Sequence, residues 1–147
     1  MTVQWIEDFN TGVEEIDLHH EGMAEKINEL LNAIDSGEKI ATIRTLIIFF
    51  ESFLASHFVL EEMLQQKFAY PDYRSHYDQH IKLAETFSGL NKLIETEGTS
   101  PHFVPTARGF IMDWWNSYIY HINSADKQLT EFLKTQWYKK GMGNSTF

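Results

Sequence analysis

Apolar residues recur in alternating steps of three and four through four long segments, roughly 17–36, 39–67, 72–97 and 104–138. The first seam reads Ile16, His20, Met23, Ile27, Leu30 and Ile34. The second reads Ile43, Leu46, Phe50, Phe53, His57, Leu60 and Leu64, and the third Tyr73, His76, His80, Leu83, Phe87, Leu90 and Ile94. The fourth reads Ala107, Phe110, Trp114, Ser117 and His121. That alternation keeps one stripe of each helix facing its neighbours. Gly37, in "DSGEK", reads as a helix C-terminal stop, the three prolines fall between periodic segments, and "TEGTSPHFVP" (96–105) reads as the longest loop. The expected fold is all-α, a single 1–147 domain built as an antiparallel up-down-up-down four-helix bundle. A short N-terminal arm, to about Glu15, precedes it, with Trp5 and Phe9 packing on the bundle.

Composition narrows the partners. A chain of 147 residues can bury a sizeable core. A formal charge of −9 and a pI near 5.1 speak against a nucleic-acid groove or an anionic membrane surface. The absence of cysteine removes disulfides, thiolate-bound zinc, iron–sulfur clusters and c-type haem attachment. The opening "MTVQWIEDFNTG" shows neither a basic nor an apolar signal region, and no uninterrupted apolar run reaches membrane-spanning length. A monomeric, cytoplasmic protein without membrane or nucleic-acid partners is the expectation.

The seams carry chemistry that a core does not need. Five of the seven histidines, at 20, 57, 76, 80 and 121, fall on them, with at least one per segment. A single seam histidine reads as a hydrogen-bonded core residue. Five together need donors and acceptors that the seams do not offer. Glu61, one turn after His57, adds an anion whose burial costs several kcal/mol when unpaired. A bound metal satisfies all of them, and imidazole with carboxylate suits zinc, iron, manganese or copper. One tetrahedral zinc would leave several histidines unused. His76–His80 is not the metalloprotease pair, because Tyr77 stands where the catalytic glutamate belongs, and no Glu-x-x-His pair occurs. Two six-coordinate ions fit better. Five histidines, two bridging carboxylates and one bridging solvent oxygen fill all of their positions but one, which leaves room for a small ligand.

That count requires a second carboxylate from the fourth segment. Asp126 follows His121 by five residues, which in a regular α-helix leaves the two side chains about 140° apart. Asp113 shares the azimuth of His121 but lies about 12 Å away along the axis. If Asp126 joins the site, the helix must contain an i→i+5 turn between 121 and 126, a rare feature that gathers at functional sites.

These motifs resemble those of the hemerythrin family, single-domain bacterial members in particular. The matching stretches are "GVEEIDLHH", "HFVLEE", "YPDYRSHYDQH" and "HINSAD", within a likeness running from Trp5 to about Leu133. The resemblance implies that His76, His80 and His121 hold one iron and that His20 and His57 hold the other. Glu61 and Asp126 would bridge them together with an oxo or hydroxo group. It further implies reversible binding of O2 at the iron with two histidines, serving delivery, storage or sensing. A di-iron redox enzyme acting on nitric oxide or peroxide is the alternative. Met23, Phe58, Tyr118 and Ile122 match positions lining the O2 pocket. Three departures stand out: Met23 replaces the usual leucine, His19 the usual Gln or Glu, and Ser117-Tyr118 the usual Trp-Leu. His19 reads as a surface residue, or else as a group standing behind a ligand. Tyr118, three residues before His121, is expected to turn its hydroxyl toward the open position. His102 reads as an exposed loop residue.

Overall fold

The computed structural model describes residues 2–141. Four long helical rods run in chain order: α1 (Glu14–Asp35), α2 (Ile40–Lys67), α3 (Tyr73–Glu97), and α4 (Phe103–His121), which continues through Ile122–Asp126 into α5 (Lys127–Lys139). Each rod packs on the next, and α1 closes the bundle against α4. The architecture is an all-helical four-helix bundle, and no strand occurs among the described residues.

Gly37 stops α1 as expected. At a φ of 68° it sends its N–H to the Ile34 carbonyl while Glu38 donates to Ala33, so the last carbonyls are capped by backbone. The same pattern ends α2 with a residue poorly suited to it. Tyr70 donates to the Gln65 carbonyl and Ala69 to Gln66, with Ala69 in the left-handed region at a φ of 52°. An L side chain there costs about 1 kcal/mol or more.

Helix α1 begins earlier than its apolar period suggests because Asp17 reaches back. Its carboxylate accepts from Thr11 N–H at 2.7 Å, the Thr11 hydroxyl at 2.8 Å and Gly12 N–H at 3.0 Å. The arm is fastened twice more. Asn28 exchanges two hydrogen bonds with the Val3 backbone (2.8 and 2.9 Å), and Lys134 donates to the Thr11 carbonyl. Trp5 and Phe9 are half-buried, in edge contact with each other, and the Trp5 ring lies 5.7 Å from that of His20. The 96–105 loop is shorter than its composition suggests, since α3 runs to Glu97 and α4 starts at Phe103.

The core departs from the expected seam in two helices. In α4 the buried face is Ala107, Ile111, Trp114, Tyr118 and His121, whereas Phe110 is half-buried and Ser117 exposed. In α2 Ile47 and Leu54 are buried while Leu46, Phe53 and Leu60 are half-buried. In both helices the buried seam takes its steps as four then three, the reverse of the expected order, so each intermediate position moves one residue along. Helix α2 is long and apolar enough to cross a membrane by length and composition alone, yet its apolar residues supply one wall of this core.

The core has two parts. The larger contains Met23, Phe50, Phe58, Phe87, Trp114, Tyr118 and Ile122, and the smaller contains Val13, Ile16, Leu64, Phe68, Leu129, Leu133 and Trp137. Between them, on every rod, lie polar residues.

The strained end of α2 gives a direct check on the backbone. Ala69→Gly is expected to stabilise the protein by about 0.5–1 kcal/mol, the αL relief outweighing the added entropy of the unfolded chain. Thermal unfolding should shift up by about 1–4 °C for a chain of this size.

Candidate metal centre

Seven buried side chains meet in the layer between the two apolar clusters: His20 from α1, His57 and Glu61 from α2, His76 and His80 from α3, His121 from α4 and Asp126 from the turn after it. Within a helix the spacing explains the placement. His57 and Glu61, and likewise His76 and His80, are four apart and share a face. His121 and Asp126 are five apart, and here Ile122–Asp126 forms a π-turn. The i→i+5 pattern absorbs the extra residue and brings both side chains inward. His121 Nε2 and Asp126 Oδ1 stand 2.9 Å apart. Asp113 is exposed: eight residues leave it about 80° around the helix from His121, so it does not share the buried face, contrary to expectation.

The contacts divide by carboxylate oxygen. Glu61 Oε1 faces His57 Nε2 at 3.0 Å and His20 Nε2 at 3.8 Å, while Oε2 faces His76 Nε2 at 3.2 Å and His80 Nε2 at 3.1 Å. Asp126 Oδ2 faces His20 Nε2 at 3.1 Å, and Oδ1 faces His76 Nε2 at 3.1 Å and His121 Nε2 at 2.9 Å. Two ligand-sized clusters result, His20/His57 and His76/His80/His121, and both include Glu61 and Asp126.

These atoms converge without pairing. Glu61 Oε1, both Asp126 oxygens and Nε2 of His80 and His121 make no hydrogen bond although all are buried. Nε2 of His20 and of His57 face one another at 3.1 Å. Leaving several buried polar atoms unpaired costs about 1–3 kcal/mol each. A cation at each cluster would satisfy them together, so the donor set fits two metal ions.

The electrostatics of the metal-free protein follow from the crowding. Burial pushes the Asp126 carboxyl up, but His121, His20 and His76 outweigh it and hold it well below the usual carboxylate range. Burial and Asp126 push Glu61 up, and His57 and His76 outweigh them in the same way. Burial pulls the His76 imidazole down, but Asp126 and Glu61 raise it to about 10. His57 is likewise raised, by Glu61, against its burial. Burial, then the charges of Asp126 and Glu61, push the Tyr118 phenol well above its usual value.

Three polar residues stand behind the imidazoles. His80 Nδ1 meets Glu62 at 2.9 Å, His121 Nδ1 meets Gln79 at 2.8 Å, and His57 Nδ1 meets His19 Nδ1 at 3.2 Å. His19 is therefore half-buried against His57, not a free surface residue. Neither Glu62 nor Gln79 stands out in the sequence, where each is one more polar residue beside a candidate ligand. The available signal is chemical: an imidazole that binds a metal through Nε2 needs an acceptor for its Nδ1–H. His102 is exposed at the start of α4.

Met23, Phe58, Tyr118 and Ile122 are all buried on the larger-core side of the cluster. Phe58 stacks on His80, with centroids 3.9 Å apart and planes 7° from parallel. Tyr118 sits edge-on to His20 at 5.9 Å and close to parallel with His121 at 6.4 Å.

A helical bundle with two linked clusters of buried imidazoles and carboxylates defines a metal-binding protein. Residues 11–133 match the family described as "Hemerythrin HHE cation binding domain", and the chain belongs to that family. It is similar to curated bacteriohemerythrins from Pseudomonas paraeruginosa (strain DSM 24068 / PA7) and Pseudomonas aeruginosa (strain LESB58). Each is 36% identical over 76 residues, covering 52% of this chain. The matched stretch spans about half (49%) of the length of those relatives. No solved structure matches it.

The pH dependence of the metal-free protein follows with a definite sign. His76 gains its partners on folding, so its contribution is fully present below about 6.5 and is lost as pH rises through about 10. Denaturant unfolding of metal-free protein should show stability declining across that range. Added metal ion should flatten the decline, because it takes the place of the protons on the imidazoles.

Proposed function

We propose that the chain holds two iron ions, one bound by His76, His80 and His121 and the other by His20 and His57, bridged by Glu61 and Asp126. On this reading it binds O2 reversibly at the ion with fewer histidines. The division of contacts by carboxylate oxygen supports it most directly: Glu61 Oε2 and Asp126 Oδ1 face His76, His80 and His121, while Glu61 Oε1 and Asp126 Oδ2 face His20 and His57. With a bridging solvent oxygen, the first set completes six-coordination and the second falls one short. Family membership and the likeness to bacteriohemerythrins support the same assignment.

The iron pair supplies the electrons that reversible O2 binding draws upon. The protein supplies position and dryness. Glu61 and Asp126 set the separation of the ions, and the four helices hold the imidazoles at one level. Met23, Phe58 and Ile122 are buried in the apolar cluster next to the polar layer, and their apolar atoms disfavour the entry of water and the escape of charged species.

Metal analysis after anaerobic iron loading should find two irons per chain. The reduced protein should develop a visible absorption band in air and lose it under vacuum, through repeated cycles. One zinc per chain, or no bound metal, would sink the assignment. A spectrum that does not reverse, with consumption of nitric oxide or peroxide, would favour the redox enzyme. Glu61→Ala should lose both irons and lower the melting temperature, since the facing histidines lose their shared anion.

A further inference from the structure

The Tyr118 side chain is wholly buried, and its hydroxyl has no hydrogen-bond partner. A phenol in that state costs about 1–3 kcal/mol relative to one that is bonded, and Phe would fill the same space without the cost. Its ring is fixed on several sides: stacked on Trp114 at 5.1 Å, in edge contact with Trp115 at 5.9 Å, and edge-on to Phe58 at 6.5 Å. Its other ring contacts are with the imidazoles of the cluster, His20 edge-on and His121 near parallel. Tyr118 cannot swing outward without vacating the core, since Ser117 and not Tyr118 occupies the exposed face of α4. Of the four residues expected to line the ligand pocket, it alone carries an O–H; Met23, Phe58 and Ile122 offer apolar surface.

We infer that the Tyr118 hydroxyl is a specificity determinant: it donates a hydrogen bond to an exogenous ligand held at the two-histidine metal position. The class of ligand it selects binds the metal through one atom and keeps a second, electron-rich atom free to accept. Met23, Phe58 and Ile122 give such a ligand no other side-chain donor. The inference rests on the metal assignment proposed above. Its own content is that a buried and unpaired group in the protein alone becomes paired when the ligand arrives.

Azide is a suitable probe, because it carries a terminal acceptor and an infrared-active stretch. Iron-loaded, oxidised protein is titrated with azide for the unmodified chain, for Tyr118→Phe and for Tyr118→Leu. Tyr118→Phe should weaken azide binding by on the order of tenfold, the worth of one hydrogen bond to a charged acceptor. The azide stretch of the unmodified protein should shift between H2O and D2O, and that shift should vanish in Tyr118→Phe. Metal-free Tyr118→Phe should melt at the same temperature as the unmodified protein or higher. Equal azide affinity and equal isotope sensitivity in the two proteins would overturn the role of Tyr118 while leaving the iron site intact. Failure of the unmodified, two-iron protein to bind azide would overturn both readings. Tyr118→Leu, if poorly folded, is set aside by its melt, and the comparison with Phe decides.

Discussion

Two carboxylates buried beside each other set the terms for the rest of the molecule. Neither Glu61 nor Asp126 has access to water, and each is repelled by the other. Such a pair is tolerated only where opposite charge or metal surrounds it on all sides. The five imidazoles do this, and they come from all four rods. The bundle must therefore bring every rod to the same level in register, and two apolar clusters above and below the polar layer hold that register. Ile16 lies below His20 and Met23 above it; Leu64 lies below Glu61 and Phe58 above it. Packing stabilises the fold, while the polar layer determines which packing is acceptable.

The π-turn is the backbone's answer to that constraint. Before it, the buried face of α4 descends through Ile111, Trp114, Tyr118 and His121. After it, the buried face of α5 proceeds from Asp126 through Leu129, Leu133 and Trp137. In a regular α-helix the extra residue would make the two faces diverge by roughly 100°, and either Asp126 or the lower cluster would turn to solvent. One inserted position thus recruits the second carboxylate and keeps Trp137 under it. The Asp17 knot and the Lys134–Thr11 bond then tie the arm to the two helices that border this lower end.

The helices and the polar layer were legible because both follow short-range spacing. Histidine and glutamate four apart, repeated on apolar stripes, carry their own geometry. Asp126 was legible only in combination, since its five-residue step made sense once a second carboxylate and a family pattern required it. The seam of α4 was misread for a simpler reason. Steps of three and four from Ala107 reach Trp114 by way of Phe110 or Ile111, and reach His121 by way of Ser117 or Tyr118. Apolar character favours Tyr118 over Ser117 but leaves Phe110 and Ile111 equal. The start of α1 escaped because it depends on a side chain folding back, at Asp17; α2 ends at Lys67 as its period indicates, but the left-handed Ala69 beyond it carries no signal in the sequence.

The groups behind the imidazoles add an asymmetry that spacing does not carry. On the three-histidine side, His80 rests on the Glu62 carboxylate and His121 on the Gln79 amide oxygen. On the two-histidine side, His57 meets only another imidazole, His19, and His20 Nδ1 has no hydrogen-bond partner. A carboxylate that accepts from Nδ1–H fixes the ring and makes its Nε2 a stronger donor, which an uncharged imidazole does less well. Under the proposed assignment, two of the three histidines on the first ion are anchored from behind, His76 Nδ1 having no hydrogen-bond partner, and only there does a carboxylate stand behind a ring. On that assignment the ion with fewer histidines would have both the weaker donors and the open position, a combination suited to a ligand that has to leave as readily as it arrives.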